Sequence, residues 1–158
     1  MEGCLLSEST NATRQLAEAL APLLRPGDTL VLTGAMGAGK TFFVQALLAP
    51  LCPGQLVQSP TFSLVNVYQA PAFPVYHVDF YRLHSEQELW AAGWEDYLDG
   101  QGLLLIEWGQ EFPSALPLSY LQLDLVATGE DSRRLMLTAR GTRGKQLQEE
   151  WLNAVASN

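Results

Sequence analysis

This sequence is short of positive charge. Its 158 residues include 9 Lys and Arg against 17 Asp and Glu, a formal net charge of −8. Only two lysines occur, Lys40 and Lys145. A protein that grips nucleic acid unaided neutralises phosphates with a basic stripe. Here the one basic cluster is Arg133-Arg134, with Arg140, Arg143 and Lys145 following, and that is thin. Contact with RNA is therefore expected to run through a partner protein, with a local basic face as the alternative. Cysteine is nearly absent too. Cys4 and Cys52 lack metal-ligand spacing and read as buried, reduced thiols. No apolar run approaches the roughly 18 residues that a membrane span needs. The start, Met1-Glu2-Gly3-Cys4-Leu5-Leu6, has neither the basic opening nor the long apolar stretch of a signal peptide. A cytoplasmic location without membrane partners is the expectation. Linkers, repeats and low-complexity tracts are missing as well, so residues 1–158 read as one domain.

What is present centres on Gly34-Ala35-Met36-Gly37-Ala38-Gly39-Lys40-Thr41. This is G-x-x-x-x-G-K-T, the phosphate-binding P-loop pattern. The apolar run Thr29-Leu30-Val31-Leu32-Thr33 before it reads as a buried strand, and residues 42–51 after it carry helical spacing. Strand, loop and helix in that order are the context the motif requires. Glycines let the backbone wrap an anion with its N–H groups turned inward, and the helix adds the positive end of its dipole. Lys40 brings a full charge to the β- and γ-phosphates, and the Thr41 hydroxyl is placed for Mg²⁺.

The rest of the chain reads as an α/β fold with a mixed central sheet flanked by helices. Residues 3–6 suggest a short edge strand. A helix over about 10–24, capped by Ser9 or Thr10, sets Leu16, Ala19, Leu20, Leu23 and Leu24 on one face. Strands over 63–68 and 74–79 form a hairpin. Ser85 caps a short helix. Gly102-Leu103-Leu104-Leu105-Ile106-Glu107-Trp108 has the continuous apolarity of a strand covered on both faces. Strands over 120–126 and 133–139 flank a turn, and a closing helix over 142–156 presents Leu147, Trp151, Leu152 and Val155.

Phosphoryl chemistry also needs a second Mg²⁺ ligand and a group that positions the attacking oxygen. Asp79 and Glu107 end apolar strands, and ligands in open α/β sheets bind at the carboxyl ends of strands. Either acid can instead be a solvated strand-end charge. Ser59-Pro60-Thr61-Phe62 reads as a switch loop that brings Thr61 to the metal or γ-phosphate, or as a plain proline turn. His77 reads as a packed, hydrogen-bonded residue rather than a base.

Taken together, the P-loop, then Ser59-Pro60-Thr61-Phe62, then His77-Val78-Asp79-Phe80-Tyr81-Arg82-Leu83, then Leu103-Leu104-Leu105-Ile106-Glu107-Trp108 resemble the bacterial TsaE (YjeE) family. The usual forms of that family are G-x-L-G-A-G-K-T, S-P-T-F, H-x-D-x-Y-R and I-E-W. The resemblance covers roughly residues 9–140. Met36 stands where Leu is usual, and Phe42 where Thr or Ser is usual. Neither change removes a phosphate or metal group. The resemblance implies a P-loop ATPase using ATP and Mg²⁺, required for placing threonylcarbamoyl on N6 of adenosine 37 in tRNAs reading codons that begin with A. It implies work beside the transferase TsaD and its paralogue TsaB, whose turnover the ATP cycle sustains, and contact with tRNA only through that complex.

Residue by residue, the resemblance makes Lys40 and Asp79 catalytic. It places Thr13, Gly37, Ala38, Gly39, Lys40, Thr41, Phe42, Thr61 and Trp108 at the nucleotide, and Thr41 and Glu107 at Mg²⁺. Three rivals stand beside it. A small-molecule kinase would add an Arg-bearing lid, and only Arg82 is present without a lid-sized insertion. A GTPase would need N-K-x-D, which Arg143-Gly144-Lys145-Gln146 does not supply. The third is a nucleotide-bound scaffold without turnover.

Overall fold

The computed structural model describes residues 2–58, 60 and 64–157. The chain folds as β1 (Glu2–Ser7), α1 (Thr10–Leu20), β2 (Thr29–Thr33), α2 (Lys40–Leu51), β3 (Val65–Gln69), β4 (Pro74–Asp79), α3 (Glu86–Ala91), β5 (Leu103–Glu107), β6 (Tyr120–Ala127), β7 (Arg133–Arg140) and α4 (Gly141–Ala156). All seven strands join one sheet in the order β1-β7-β6-β2-β5-β4-β3. The middle is parallel: β2 pairs β6 and β5, and β5 pairs β4. Both flanks are antiparallel, β3 on β4 at one side and β7 with β1 at the other.

Local chemistry explains most boundaries. Ser9 is extended, and its hydroxyl accepts the Ala12 N–H at 3.0 Å, which starts α1. Leu16, Ala17 and Leu20 then face the core. The helix stops short of the expected residue 24 and tightens to a 3-10 turn at Ala21–Leu23, because Pro22 has no N–H with which to continue the ladder. Every residue of β2 and β5 is buried, as parallel strands covered on both faces require.

Each face has its own core. Leucines of β2, β6 and β7 pack with α1, α2 and α4, with Phe43 edge-on to Trp151 at 6.3 Å. On the other face Val78, Phe80, Leu89, Trp94, Leu104 and Ile106 form a second cluster on the β4–β5 side of the sheet, with Val65 of β3 packed against it. That cover ends before β7 and β1, where Cys4, Leu6, Arg134 and Met136 are exposed. Cys4 thus departs from the buried thiol expected; its alternation in β1 turns it to the open face, whereas Cys52 is buried. Among the described residues no helix is long and apolar enough to cross a membrane.

Candidate functional site

The Gly34–Lys40 stretch leaves the C-terminal end of β2 in the centre of the sheet. Three of its glycines need positive φ: Gly34 at 137°, Gly37 at 82° and Gly39 at 105°. Gly34 is also sterically compelled, since a Cβ there would lie 2.6 Å from the Leu125 carbonyl. Among the described residues nothing lies within 4 Å of that position at Gly37, which leaves room on the outer side of the loop. Gly39 caps α2 without a side chain of its own, and the first turn of that helix begins directly at the loop.

Lys40 begins α2 and is only 7% exposed. Its ammonium donates to the Gly34 carbonyl at 2.5 Å and the Ala35 carbonyl at 3.3 Å. It lies 4.7 Å from the centre of the Trp108 ring, a cation–π contact. Trp108 follows β5 with φ at 61°, and it is the one non-glycine residue at positive φ among the described residues. A bulky side chain rarely adopts that conformation. Here the Trp108 N–H donates to the Leu32 carbonyl at 3.2 Å, and the ring packs on Tyr81 at 4.9 Å.

Sheet register assembles the acids. Glu107 stands opposite Leu32 on one side and Asp79 on the other. Both expected strand-end acids therefore lie level with the loop. Glu107 is buried, and its Oε2 is 2.7 Å from His77 Nε2. Asp79 is half-buried and caps the turn after β4, accepting the Tyr81 N–H at 2.9 Å. Burial raises the Asp79 carboxyl above the usual carboxylate range. The Tyr81 amide opposes that shift, neighbouring Glu107 adds to it, and Arg82 and His77 oppose it. Thr41 is the second residue of α2 and is exposed.

Thr13 and Phe42 sit on the other flank of the loop. The Thr13 hydroxyl pairs with that of Ser7 at 2.6 Å, and Arg14 covers the Phe42 ring at 5.7 Å. Both residues line a cavity of about 210 Å³ that also reaches Ala38, Leu125, Asp131 and Arg133. A larger groove of about 600 Å³ between Leu6, α1 and Val155 lies away from the loop and carries none of these groups. Of the expected switch loop, Ser59, Thr61 and Phe62 lie outside the described residues.

Two residues at the site escaped the sequence reading. Asp124 is level with Thr33 and accepts its hydroxyl at 3.0 Å. Alternation in Leu121-Gln122-Leu123-Asp124 marked it as polar-facing, but only register brings it to the loop. Arg133 is the other: its Nε donates to the Ala38 carbonyl at 2.8 Å, while its Nη1 donates to the Gly129, Glu130 and Ser132 carbonyls. The Arg133-Arg134 cluster is thus no patch. Strand alternation turns one arginine to the P-loop and leaves the other exposed. Among the described residues no group of three or more His, Cys, Asp or Glu side chains could hold a metal alone.

Known proteins share this sequence pattern and this fold. The family model for threonylcarbamoyl adenosine biosynthesis protein TsaE matches residues 7–135. The chain is 38% identical over 138 residues to the tRNA threonylcarbamoyladenosine biosynthesis protein TsaE of Bacillus subtilis, covering 87% of this chain and 86% of that one. The protein of the same name from Rickettsia conorii is 38% identical over 126 residues, 79% of this chain and 71% of its own. The fold matches the crystal structure of Bacillus subtilis YdiB with a TM-score of 0.81 at 31% identity, across 97% of this chain and 95% of that chain.

Proposed function

The chain belongs to the TsaE family of threonylcarbamoyl adenosine biosynthesis proteins, and from that premise we propose that its part in tRNA threonylcarbamoyladenosine synthesis is to bind and hydrolyse ATP beside a TsaB–TsaD type transferase complex. One observation carries the reading. The P-loop with Lys40, Glu107 and Asp79 meet on adjacent strands at one sheet edge. Phosphoryl transfer asks a protein for positioning and charge stabilisation, and these are the parts it uses.

The residues fit both groups. The open side of Gly37 and the N–H groups at the head of α2 suit a phosphate chain. Mg²⁺ prefers one or two protein oxygens plus phosphate and water, which suits Thr41 and Glu107 and needs no three-residue cluster. When bound, Mg²⁺ neutralises charge on the β- and γ-phosphates. Lys40 exchanges two loop carbonyls for phosphate oxygens. Asp79, level with Glu107 at the end of the neighbouring strand, orients the attacking water and accepts its proton. Thr13, Phe42 and the cavity beside them take the nucleoside end, and Thr61 joins from the switch loop. The whole chain acts as one unit in the cytoplasm. Contact with tRNA runs through the complex, because Arg133 and Arg143 are engaged within the fold.

Phosphate release from ATP, measured alone and with the TsaB–TsaD complex, tests this. Release that rises with the complex and prefers ATP over GTP is expected. Absence of release in both conditions overturns the hydrolytic part and leaves the scaffold.

A further inference from the structure

One buried titratable residue has no task in that reading. His77 is 0% exposed in the middle of β4. Its register partner on β5 is Leu105, whereas Glu107 stands opposite Asp79. Glu107 therefore reaches back along the sheet face to His77, a diagonal cross-strand pair. The Nε2–Oε2 distance of 2.7 Å is that of a charge-assisted hydrogen bond. Nδ1 is buried and has no partner among the described residues. An unpaired acceptor is more readily tolerated in an interior than an unpaired N–H. The ring is therefore placed as an Nε2–H donor to the carboxylate, with bare Nδ1. A histidine kept only for packing would gain nothing from a buried nitrogen that no described residue satisfies in the middle of β4. This one is held in an orientation that serves Glu107.

We propose that His77 is a positioning residue: its Nε2–H holds Oε2 of Glu107 and so sets the plane in which that carboxylate meets Mg²⁺. This rests on the assignment of Glu107 to the metal. Partners of this kind orient metal-binding carboxylates, and their loss typically costs 10–100-fold in metal affinity.

The test uses the full chain and calorimetric titration of a non-hydrolysable ATP analogue, with EDTA and across a Mg²⁺ series. His77→Gln places an amide N–H near the reach of Nε2, while the amide of His77→Asn falls short. His77→Asn is expected to need about tenfold more Mg²⁺, with metal-free analogue affinity unchanged; His77→Gln is expected to stay near wild type. Equal Mg²⁺ dependence in the two variants overturns the proposal, because a packing role does not distinguish them. If His77→Asn fails to fold, His77→Met fills the site without a donor and takes its place under the same criterion. Glu107→Gln separates the two levels. If it leaves the Mg²⁺ dependence unchanged, the metal assignment falls and this proposal with it. If it weakens the metal while His77→Asn does not, only the role of His77 falls.

Discussion

The two ends of β2 treat charge in opposite ways. At its entry, Asp28 is 3% exposed and fully matched. Arg143 from α4 meets it with Nε at 2.8 Å and Nη2 at 2.9 Å, and the Arg25 N–H adds a third donor at 2.8 Å. Arg143 also binds Glu150 at 2.8 Å and the Leu23 carbonyl at 2.9 Å. These acids raise the Arg143 pKa still further, the Asp28 hydrogen bond most. At the exit, Lys40 rests on neutral carbonyls and an aromatic face, and no salt bridge is formed by it among the described residues. Asp79 pays for burial with a raised pKa. The entry is an ion-pair clasp that completes itself. The exit keeps its charge for something that arrives, the usual mark of a functional site.

Four substitutions test that contrast, in order of expected size. Arg143→Ala strands a buried carboxylate and is expected to destabilise the fold by about 3–5 kcal/mol, read by urea unfolding, with ATP affinity of the folded fraction unchanged. Weaker ATP binding there would show that the two ends are not independent. Lys40→Ala is expected to lose about 3 kcal/mol of charge-assisted phosphate contact, roughly a hundredfold in Kd, with little change in Tm. A large Tm loss would make Lys40 structural and erase the contrast.

Asp79→Asn sharpens it through pH. Its carboxyl is raised above the ordinary 3.8, so the folded state holds the proton to higher pH than the unfolded chain. Stability from the neutral form is complete below the ordinary carboxylate range. It is lost as pH rises through the raised pKa, and at neutral pH the ionised group is a cost. The Asn variant keeps the side-chain oxygen that caps Tyr81. It is expected to be no less stable than wild type at pH 7 and to lose its own share of that acid-side slope, while ATP turnover falls about a hundredfold. Parallel stability–pH curves for variant and wild type would contradict the shift. Arg133→Ala removes one partly buried hydrogen bond to the loop and is expected to weaken ATP binding by about 1 kcal/mol, roughly fivefold. Unchanged affinity would mean that the clasp at Ala38 supports only the β6–β7 turn.

How much of this was readable in advance differs between neighbours in the same site. The P-loop was legible outright, because glycine φ angles, a helix cap and a lysine one step into the helix are all set within eight consecutive residues. Glu107 and Asp79 were legible as strand-end acids, because apolar runs announce where buried strands stop. Asp124 was not, since β6 runs on past it to Ala127 and nothing local marks its level. Arg133 read as part of a basic cluster, and only the sheet order set it against Ala38.

The sequence by itself determined the loop, its lysine, the caps at Ser9 and Ser85, and the continuous burial of β2 and β5, because each follows from short-range sterics, hydrogen bonding or hydrophobic pattern. Tertiary structure alone decided that Glu107 stands between Leu32 and Asp79, that it reaches His77, that Trp108 roofs Lys40, and that Arg143 closes on Asp28 from 115 residues away. Those are matters of strand order, register and the packing of helices on the sheet. A one-residue slip in pairing would turn Glu107, His77 and Asp79 to the other face, and nothing within a single strand's sequence specifies the register in which it meets its neighbour.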